Sequence, residues 1–338
     1  MREPIRLHVQ NRSTQAETYQ VTRERFDAAI ARHADLGVAV EASIGADLEG
    51  FDAAIGAADV LVLPVPVPAE WRPRLYSLED TAPKLAWVFQ TGAGAEAIMP
   101  LDWLPRACVL TNNSGAHAEM AGEYAMLAVL MLNSRIPLYA SVKEGRRDDR
   151  LFTTAIRGKT AVVVGLGGVG GAAARRLARD LGLHVIGVRA HPRSHPHAAE
   201  VVGAERLPEV LPRADFVLCA APLTAATRGL IGAREIALMR PSAGLINMGR
   251  APVVDYDALA DALEAGRLAG AVLDVFESEP LPADSRLWAT PNLILTPHVG
   301  CDDAERYIPA TLDVLFENLA LWRAGAPLIN VVDPAAGY

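Results

Sequence analysis

A β-branched run that breaks into glycines constrains this chain more than any other stretch. From Ala161 to Gly171 it reads Ala-Val-Val-Val-Gly-Leu-Gly-Gly-Val-Gly-Gly, which sets G-x-G-x-x-G at Gly165, Gly167 and Gly170. Residues 161–164 suit a strand buried on both faces. Gly165 then permits a tight turn, Gly167 lets the backbone approach a pyrophosphate, and Gly170 lets the following helix pack closely. The first amides of that helix, near Gly168 and Val169, have no intrahelical partner and point at an anion, with the positive end of the macrodipole behind them. Residues 172–181 are rich in Ala, Arg and Leu at helical spacing, and 184–188 return as a second short strand. In that setting the glycines predict a dinucleotide site.

The residue after the second strand selects the dinucleotide, and it is Arg189. An NAD-type site places Asp or Glu about 20 residues beyond the glycines, where the carboxylate holds the ribose 2′-OH and repels a 2′-phosphate. Here Arg189, followed by His191, Arg193 and Ser194, forms a cationic, hydroxyl-bearing loop suited to a phosphate dianion. NADP(H) is therefore expected over NAD(H), with NAD use left open.

At 338 residues the chain is long enough for two domains, and with 51% hydrophobic and 21% charged residues it has an ordinary globular composition. The net charge of -8 argues against nonspecific nucleic-acid binding. The densest basic stretch, 143–150, is diluted by Glu144, Asp148 and Asp149 and reads as a charged surface linker. Residues 1–10 carry no apolar signal-peptide core, and the most membrane-like segment, 124–132, is far shorter than the roughly 20 residues needed to span a bilayer. It reads as a buried helix, and no membrane association is expected. Cys108, Cys219 and Cys301 form an odd, scattered set that fits a reducing, cytoplasmic compartment. Cys108 and Cys219 lie in apolar, strand-like runs and read as small core residues, while Cys301 lacks a second base nearby and is not assigned as a nucleophile. His191, His195 and His197 alternate with prolines and have no carboxylate or thiol beside them, so no metal is expected.

Before the glycines the chain alternates strands and helices: 5–9, a helix over 23–33, then 37–42, 59–64 and 85–89. Polar loops follow at 90–96 and 111–115, and a helical run at 119–132. After the glycines, βα units recur through 216–220, 245–247, 271–275 and 293–295, the pattern of a doubly wound parallel sheet. The tail predicts an amphipathic helix over 311–323 and an extended piece at 328–332, both returning to the first domain.

Ligands of such sheets bind beyond the carboxyl ends of the strands, which makes the residues just past each strand the informative ones. Arg250 follows 245–247, Glu279 follows 271–275, and His298 follows 293–295. A guanidinium can hold a carboxylate while polarising an adjacent carbonyl. An imidazole can give or take one proton, and a carboxylate beside it favours its charged form. Each residue alone has a duller reading: a surface turn, a helix cap, a strand end. Three at successive strand ends point to one site.

At this point the chain resembles the D-isomer-specific 2-hydroxyacid dehydrogenases across nearly its whole length. The runs that carry the resemblance are Thr91-Gly-Ala-Gly-Ala-Glu96, Thr111-Asn-Asn-Ser-Gly115, the glycine motif, Pro222-Leu-Thr-Ala-Ala-Thr227, Leu245-Ile-Asn-Met-Gly-Arg250, Val253-Val-Asp-Tyr-Asp-Ala-Leu259, Gly270-Ala-Val-Leu-Asp-Val-Phe-Glu277, Glu279-Pro-Leu-Pro282 and Thr296-Pro-His-Val-Gly300. The resemblance implies an α/β protein with a Rossmann-type cofactor domain, 106–301, inserted in a flavodoxin-like substrate domain, 1–105 plus 302–338, and a cleft between them. It implies the catalytic set Arg250, Glu279 and His298. It further implies Asp274 at the nicotinamide amide, Pro222, Thr224, Met248 and Gly300 along the cofactor channel, and the amides of Ala93 and Gly94 at the substrate carboxylate. The helix 119–135 is then the candidate homodimer interface. Departures from the family pattern are Arg189 for the usual acid, Ala251-Pro252 after Arg250, Gly122 before Glu123, and the acidic run Cys301-Asp302-Asp303.

The expected reaction is reduction of a small 2-oxoacid such as glyoxylate or hydroxypyruvate to the D-2-hydroxyacid. Arg250 would bind the carboxylate and carbonyl, and His298, paired with Glu279, would be the acid/base. The alternatives are a noncatalytic dinucleotide-sensing corepressor, or a dehydrogenase of another small acid on the same scaffold; formate enzymes of this type carry Gln where Glu279 stands.

Overall fold

The computed structural model describes residues 3–141, 151–334 and 337; the charged stretch 143–150 lies outside them. The chain divides into two compact units, Met1–Ala116 with Asp303–Tyr338, and His117–Asp302.

The first unit opens with β1 (Ile5–Gln10), α1 (Arg23–Arg32), β2 (Val40–Gly45), α2 (Leu48–Ile55) and β3 (Val60–Leu63), then α3 (Arg72–Tyr76), α4 (Leu78–Thr81), β4 (Trp87–Gln90) and β5 (Val109–Thr111). The strands pair parallel in the order β2-β1-β3-β4-β5, a flavodoxin-type arrangement. Local chemistry sets the helix starts: the Thr22 hydroxyl accepts from Arg25 N at 3.2 Å and the Asp47 carboxylate from Gly50 N at 2.7 Å. Two details depart from the sequence reading. The second strand begins at Val40 rather than at residue 37, because Gly37, at φ 62°, still closes a helical turn. A strand also occupies 109–111, where 111 onward reads as loop, and its pairing with β4 carries the first unit to Ala116, past the expected boundary at 105.

The second unit begins with α5 (Ala118–Asn133) and α6 (Ile136–Ser141). Its sheet is built from β6 (Thr160–Val164), β7 (His184–Val188), β8 (Glu200–Val202), β9 (Phe216–Cys219), β10 (Gly244–Asn247), β11 (Gly270–Leu273) and β12 (Leu293–Leu295). Between them lie α7 (Gly168–Arg179), α8 (Leu207–Val210), α9 (Ala233–Leu238) and α10 (Tyr256–Glu264). All pairs are parallel, in the order β12-β11-β10-β9-β6-β7-β8, so the glycine loop after β6 sits where the strand order reverses.

Only one face of α5 is buried. Tyr124, Ala125, Ala128, Val129 and Leu132 pack inward, while Leu127 and Leu130 are 52% and 39% exposed, so 124–132 is not the wholly buried helix expected. The buried positions recur at three- and four-residue spacing and form the stripe that packs on α7 and on β10 and β11. Gly122 has a packing reason: a Cβ there would stand 2.7 Å from the stem of Arg176, whose guanidinium pairs with Glu123 at 3.2 Å and Asp180 at 2.8 Å.

The chain then returns to the first unit as α11 (Tyr307–Ala324), which begins four residues earlier than expected and ends at Gly325 with φ 68°. Ile308, Leu312, Leu315, Phe316 and Leu319 complete a core with Val9, Phe26, Trp87 and Phe89. Buried Asn318 accepts from Ile329 N at 2.8 Å, and Val332 N donates to Leu110 O at 2.9 Å, which fixes the extended tail piece.

Candidate active site

The glycine loop has the geometry a pyrophosphate requires. Gly165 sits at φ 91°, and a Cβ on it would lie 2.7 Å from the Ala221 backbone. A Cβ on Gly170 would strike the Gly165 carbonyl, whereas one on Gly167 would meet nothing within 4 Å. The loop is thus closed toward the protein and open at Gly167, beside the first-turn amides of α7. Those residues fit a dinucleotide.

At the other half of the sheet, β10, β11 and β12 are neighbours, so the segments that follow them emerge side by side. After β12, His298 Nδ1 donates to Glu279 Oε2 at 2.8 Å, while Phe276 N donates to Glu279 Oε1 at 2.9 Å. The carboxylate can only accept, so Nδ1 carries the hydrogen and Nε2 is the nitrogen left to exchange a proton. Both side chains reach solvent, at 43% and 37% exposure. After β10, fully buried Asn247 shapes the Arg250 turn: Oδ1 accepts from Gly249 N at 3.1 Å and Nδ2 donates to Arg250 O at 3.1 Å and Tyr256 Oη at 2.9 Å. Arg250 Nη1 donates to Gly249 O at 2.8 Å. Burial holds the pKa of His117 below its ordinary value, opposed by the hydrogen bond of its Nδ1 with Cys301 O at 3.2 Å.

His298 stands in the left-handed region at φ 55°, a conformation that costs an L-residue on the order of 1 kcal/mol or more. The residues around it hold that turn. Asp274 is 1% exposed, and its carboxylate receives Val299 N at 2.9 Å, Gly300 N at 2.9 Å and the Thr296 hydroxyl at 2.7 Å. Burial pushes the Asp274 pKa up, and the hydrogen bonds from Thr296, Gly300 and Val299 oppose that shift. The Tyr124 hydroxyl bonds Thr296 Oγ1 from α5. A Cβ on Gly300 would come within 2.8 Å of Asp274 Oδ2 and 2.9 Å of the Tyr124 ring, so the loop closes over both.

The remaining expected residues are more dispersed. Arg189 follows β7 and its amide donates to Val202 O at 3.1 Å; Arg193 lies exposed in the loop beyond it. Pro222 and Thr224 belong to a turn after β9 in which Thr227 Oγ1 donates to Pro222 O at 2.6 Å and accepts from Thr224 N at 2.8 Å. Met248 is 4% exposed within the core, so its side chain packs inward rather than lining an open channel. Ala93 and Gly94 lie in the first unit, in a loop anchored through its carbonyls: Asn112 Nδ2 donates to Ala93 O at 2.9 Å, and Gln90 Nε2 donates to Gly94 O. Cys301 is a poor nucleophile, its thiol pushed up to about 12 by burial, Asp274 and Asp302. Cys108, expected in the core, is half-buried with its thiol donating to Leu85 O at 2.9 Å. Asp303 belongs to the first unit, where its Oδ1 accepts from Arg306 N at 2.9 Å just ahead of α11. Among the described residues, no group of three or more His, Cys, Asp or Glu is gathered as metal ligands, and no helix is long and apolar enough to cross a membrane.

Sequence reasoning missed Asn247, Tyr256, Tyr124, Thr296 and His117. Thr296 was within reach, since it is the first residue past β12 on the segment that carries His298.

The fold and the strand-end cluster define a two-unit α/β protein with a doubly wound dinucleotide-binding unit. A model of the D-isomer specific 2-hydroxyacid dehydrogenase NAD binding domain matches residues 125–300. The glyoxylate/hydroxypyruvate reductase B of Citrobacter koseri is 35% identical over 267 residues, which covers 76% of this chain and 81% of the relative. Among solved structures, a D-isomer specific 2-hydroxyacid dehydrogenase from Xanthobacter autotrophicus in complex with NADPH and MES superposes with TM-score 0.81 at 28% identity, covering 99% of this chain and 100% of that one. An NADPH-dependent glyoxylate/hydroxypyruvate reductase from Sinorhizobium meliloti, in complex with NADP and sulfate, superposes with TM-score 0.78 at 28% identity, covering 99% and 100%. The chain spans 43% to 48% of the D-3-phosphoglycerate dehydrogenases it also matches. This chain belongs to the D-isomer specific 2-hydroxyacid dehydrogenase family.

Proposed function

We propose that this protein reduces a small 2-oxoacid of the glyoxylate or hydroxypyruvate type to the D-2-hydroxyacid, with NADP(H) preferred over NAD(H). The observation that carries the reading is the His298 Nδ1 to Glu279 Oε2 bond of 2.8 Å, on the same sheet edge as Arg250. The names of the Citrobacter and Sinorhizobium relatives support the substrate class. Arg189 at the end of β7, in place of an acid, supports the 2′-phosphate, as do the NADPH and NADP complexes of two structural neighbours.

The unit 117–302 acts as the cofactor unit, and Gly165, Gly167, Gly168, Val169 and Gly170 hold the pyrophosphate. A bound nicotinamide supplies the hydride. Arg250 binds the substrate carboxylate and steadies negative charge as it develops on the carbonyl oxygen. His298 Nε2 delivers the proton to that oxygen, and Glu279 keeps the ring oriented. In the first unit, the loop at Ala93 and Gly94 is the candidate donor of carboxylate-binding amides. The half-exposed Leu127 and Leu130 on α5 form the candidate homodimer face. The three free cysteines fit a reducing compartment such as the cytoplasm.

The test is a panel of 2-oxoacids assayed with NADPH and NADH, with His298→Gln beside the unaltered enzyme. Turnover should be highest with glyoxylate or hydroxypyruvate and NADPH, and His298→Gln should lower it roughly 100-fold or more while cofactor affinity stays the same. Full turnover by that variant would overturn the reading.

A further inference from the structure

We infer that Tyr124 and Thr296 are positioning residues for His298: a hydroxyl relay runs from α5 through Thr296 to the Asp274 carboxylate and fixes the left-handed turn that presents the imidazole. The inference rests on the proton-donor reading of His298.

The direction of the relay follows from its last link. Thr296 Oγ1 spends its one hydrogen on Asp274 Oδ1 at 2.7 Å, so it can only accept from the Tyr124 hydroxyl. Asp274 is the acceptor at the end of the chain, receiving Thr296 Oγ1, Val299 N and Gly300 N. Those two amides belong to the residues immediately after His298, and His298 N itself donates to Thr296 O at 3.0 Å. The backbone on both sides of the imidazole is therefore tied to Thr296 or to its acceptor. A residue at φ 55° relaxes to an ordinary conformation unless such ties outweigh the gain. Removing the Thr296 hydroxyl leaves one lobe of a carboxylate that is 1% exposed without its side-chain donor, and it leaves the Tyr124 hydroxyl, also buried, without an acceptor. The ring of Tyr124 adds a steric stop, because it lies 2.9 Å from where a Gly300 Cβ would be. Neither side chain belongs to the set that handles substrate, so each acts only through the geometry of the turn.

The experiment uses Thr296→Val, which keeps shape and removes the hydroxyl, Thr296→Ser, which restores it, and Tyr124→Phe. Thr296→Val and Tyr124→Phe should each lower kcat roughly 10-fold, with unchanged cofactor dissociation constants and a larger primary isotope effect from deuterated NADPH, since misplacement of the donor slows the chemical step. Thr296→Ser should recover most of the loss. The double variant should lose little more than either single one, because both cut the same chain. If Thr296→Val does not fold, Tyr124→Phe and Thr296→Ser decide the question. His298→Gln run alongside separates the two levels: full activity there overturns the proton-donor reading itself. If His298→Gln is inactive while Tyr124→Phe and Thr296→Val turn over as fast as the unaltered enzyme, or if their losses simply multiply, the relay is overturned.

Discussion

At the scale of single residues, three histidines drawn partly or wholly out of solvent give this protein a one-sided response to acid. Burial lowers the pKa of His8, His117 and His195 below the ordinary 6.5, and for His8 the bond to Gln10 only partly opposes it. As pH falls below 6.5, the unfolded chain takes up protons that the folded chain resists, so this stability is full above that value and is lost through the window beneath it. Melting temperature should therefore decline between about pH 7 and pH 5, and His8→Asn should flatten the slope; a variant as steep as the parent would remove His8 as a contributor. Residues also mark the limit of what the sequence disclosed. Arg250, Glu279 and His298 were legible because each sits just past a recognisable strand. Tyr124 and its bond to Thr296 were not, because that bond joins positions 172 apart and only the folded backbone says which hydroxyls face each other.

At the scale of elements, the β6 to α7 turn makes two glycines separable by experiment. Gly170→Ala places a methyl against the Gly165 carbonyl and should destabilise the fold by roughly 1–3 kcal/mol, measured by denaturant titration. Gly167→Ala meets open space in the protein, so it should leave stability nearly unchanged and weaken NADP(H) binding, read by nucleotide fluorescence. Equal effects of the two on stability would contradict the assignment of an open and a closed side. The strands around this turn were legible because four apolar residues followed by Gly-x-Gly is a local signal. Strand β8 escaped it, since Glu200–Val202 offers only two apolar residues after a charged one, and β5 showed only as the apolar, strand-like run around Cys108, with Thr111 read into the loop that follows. The helix α5 was legible as a helix but not as one-sided, because its apolar residues encircle it and only its packing against α7 and the strands beneath chooses a stripe.

At the scale of the whole molecule, that unchosen stripe bears on assembly. With Leu127 and Leu130 half-exposed, Leu127→Glu with Leu130→Glu should convert a dimer to a monomer in light scattering, while cofactor binding persists. A dimer that survives both charges would move the interface elsewhere. The division of the chain has another consequence. The first unit draws five core side chains of α11 from beyond residue 303, whereas the second unit is complete by 302. On the ribosome, the nested unit can therefore reach its native state while Val9, Phe26, Trp87 and Phe89 still wait for their covering helix, an interval on the order of ten seconds at ordinary translation speeds. Throughout that interval a nascent chain shows an uncovered apolar sheet face to solvent, which makes the stretch ahead of residue 117, rather than the glycine-rich middle, the natural client of a holdase chaperone during synthesis.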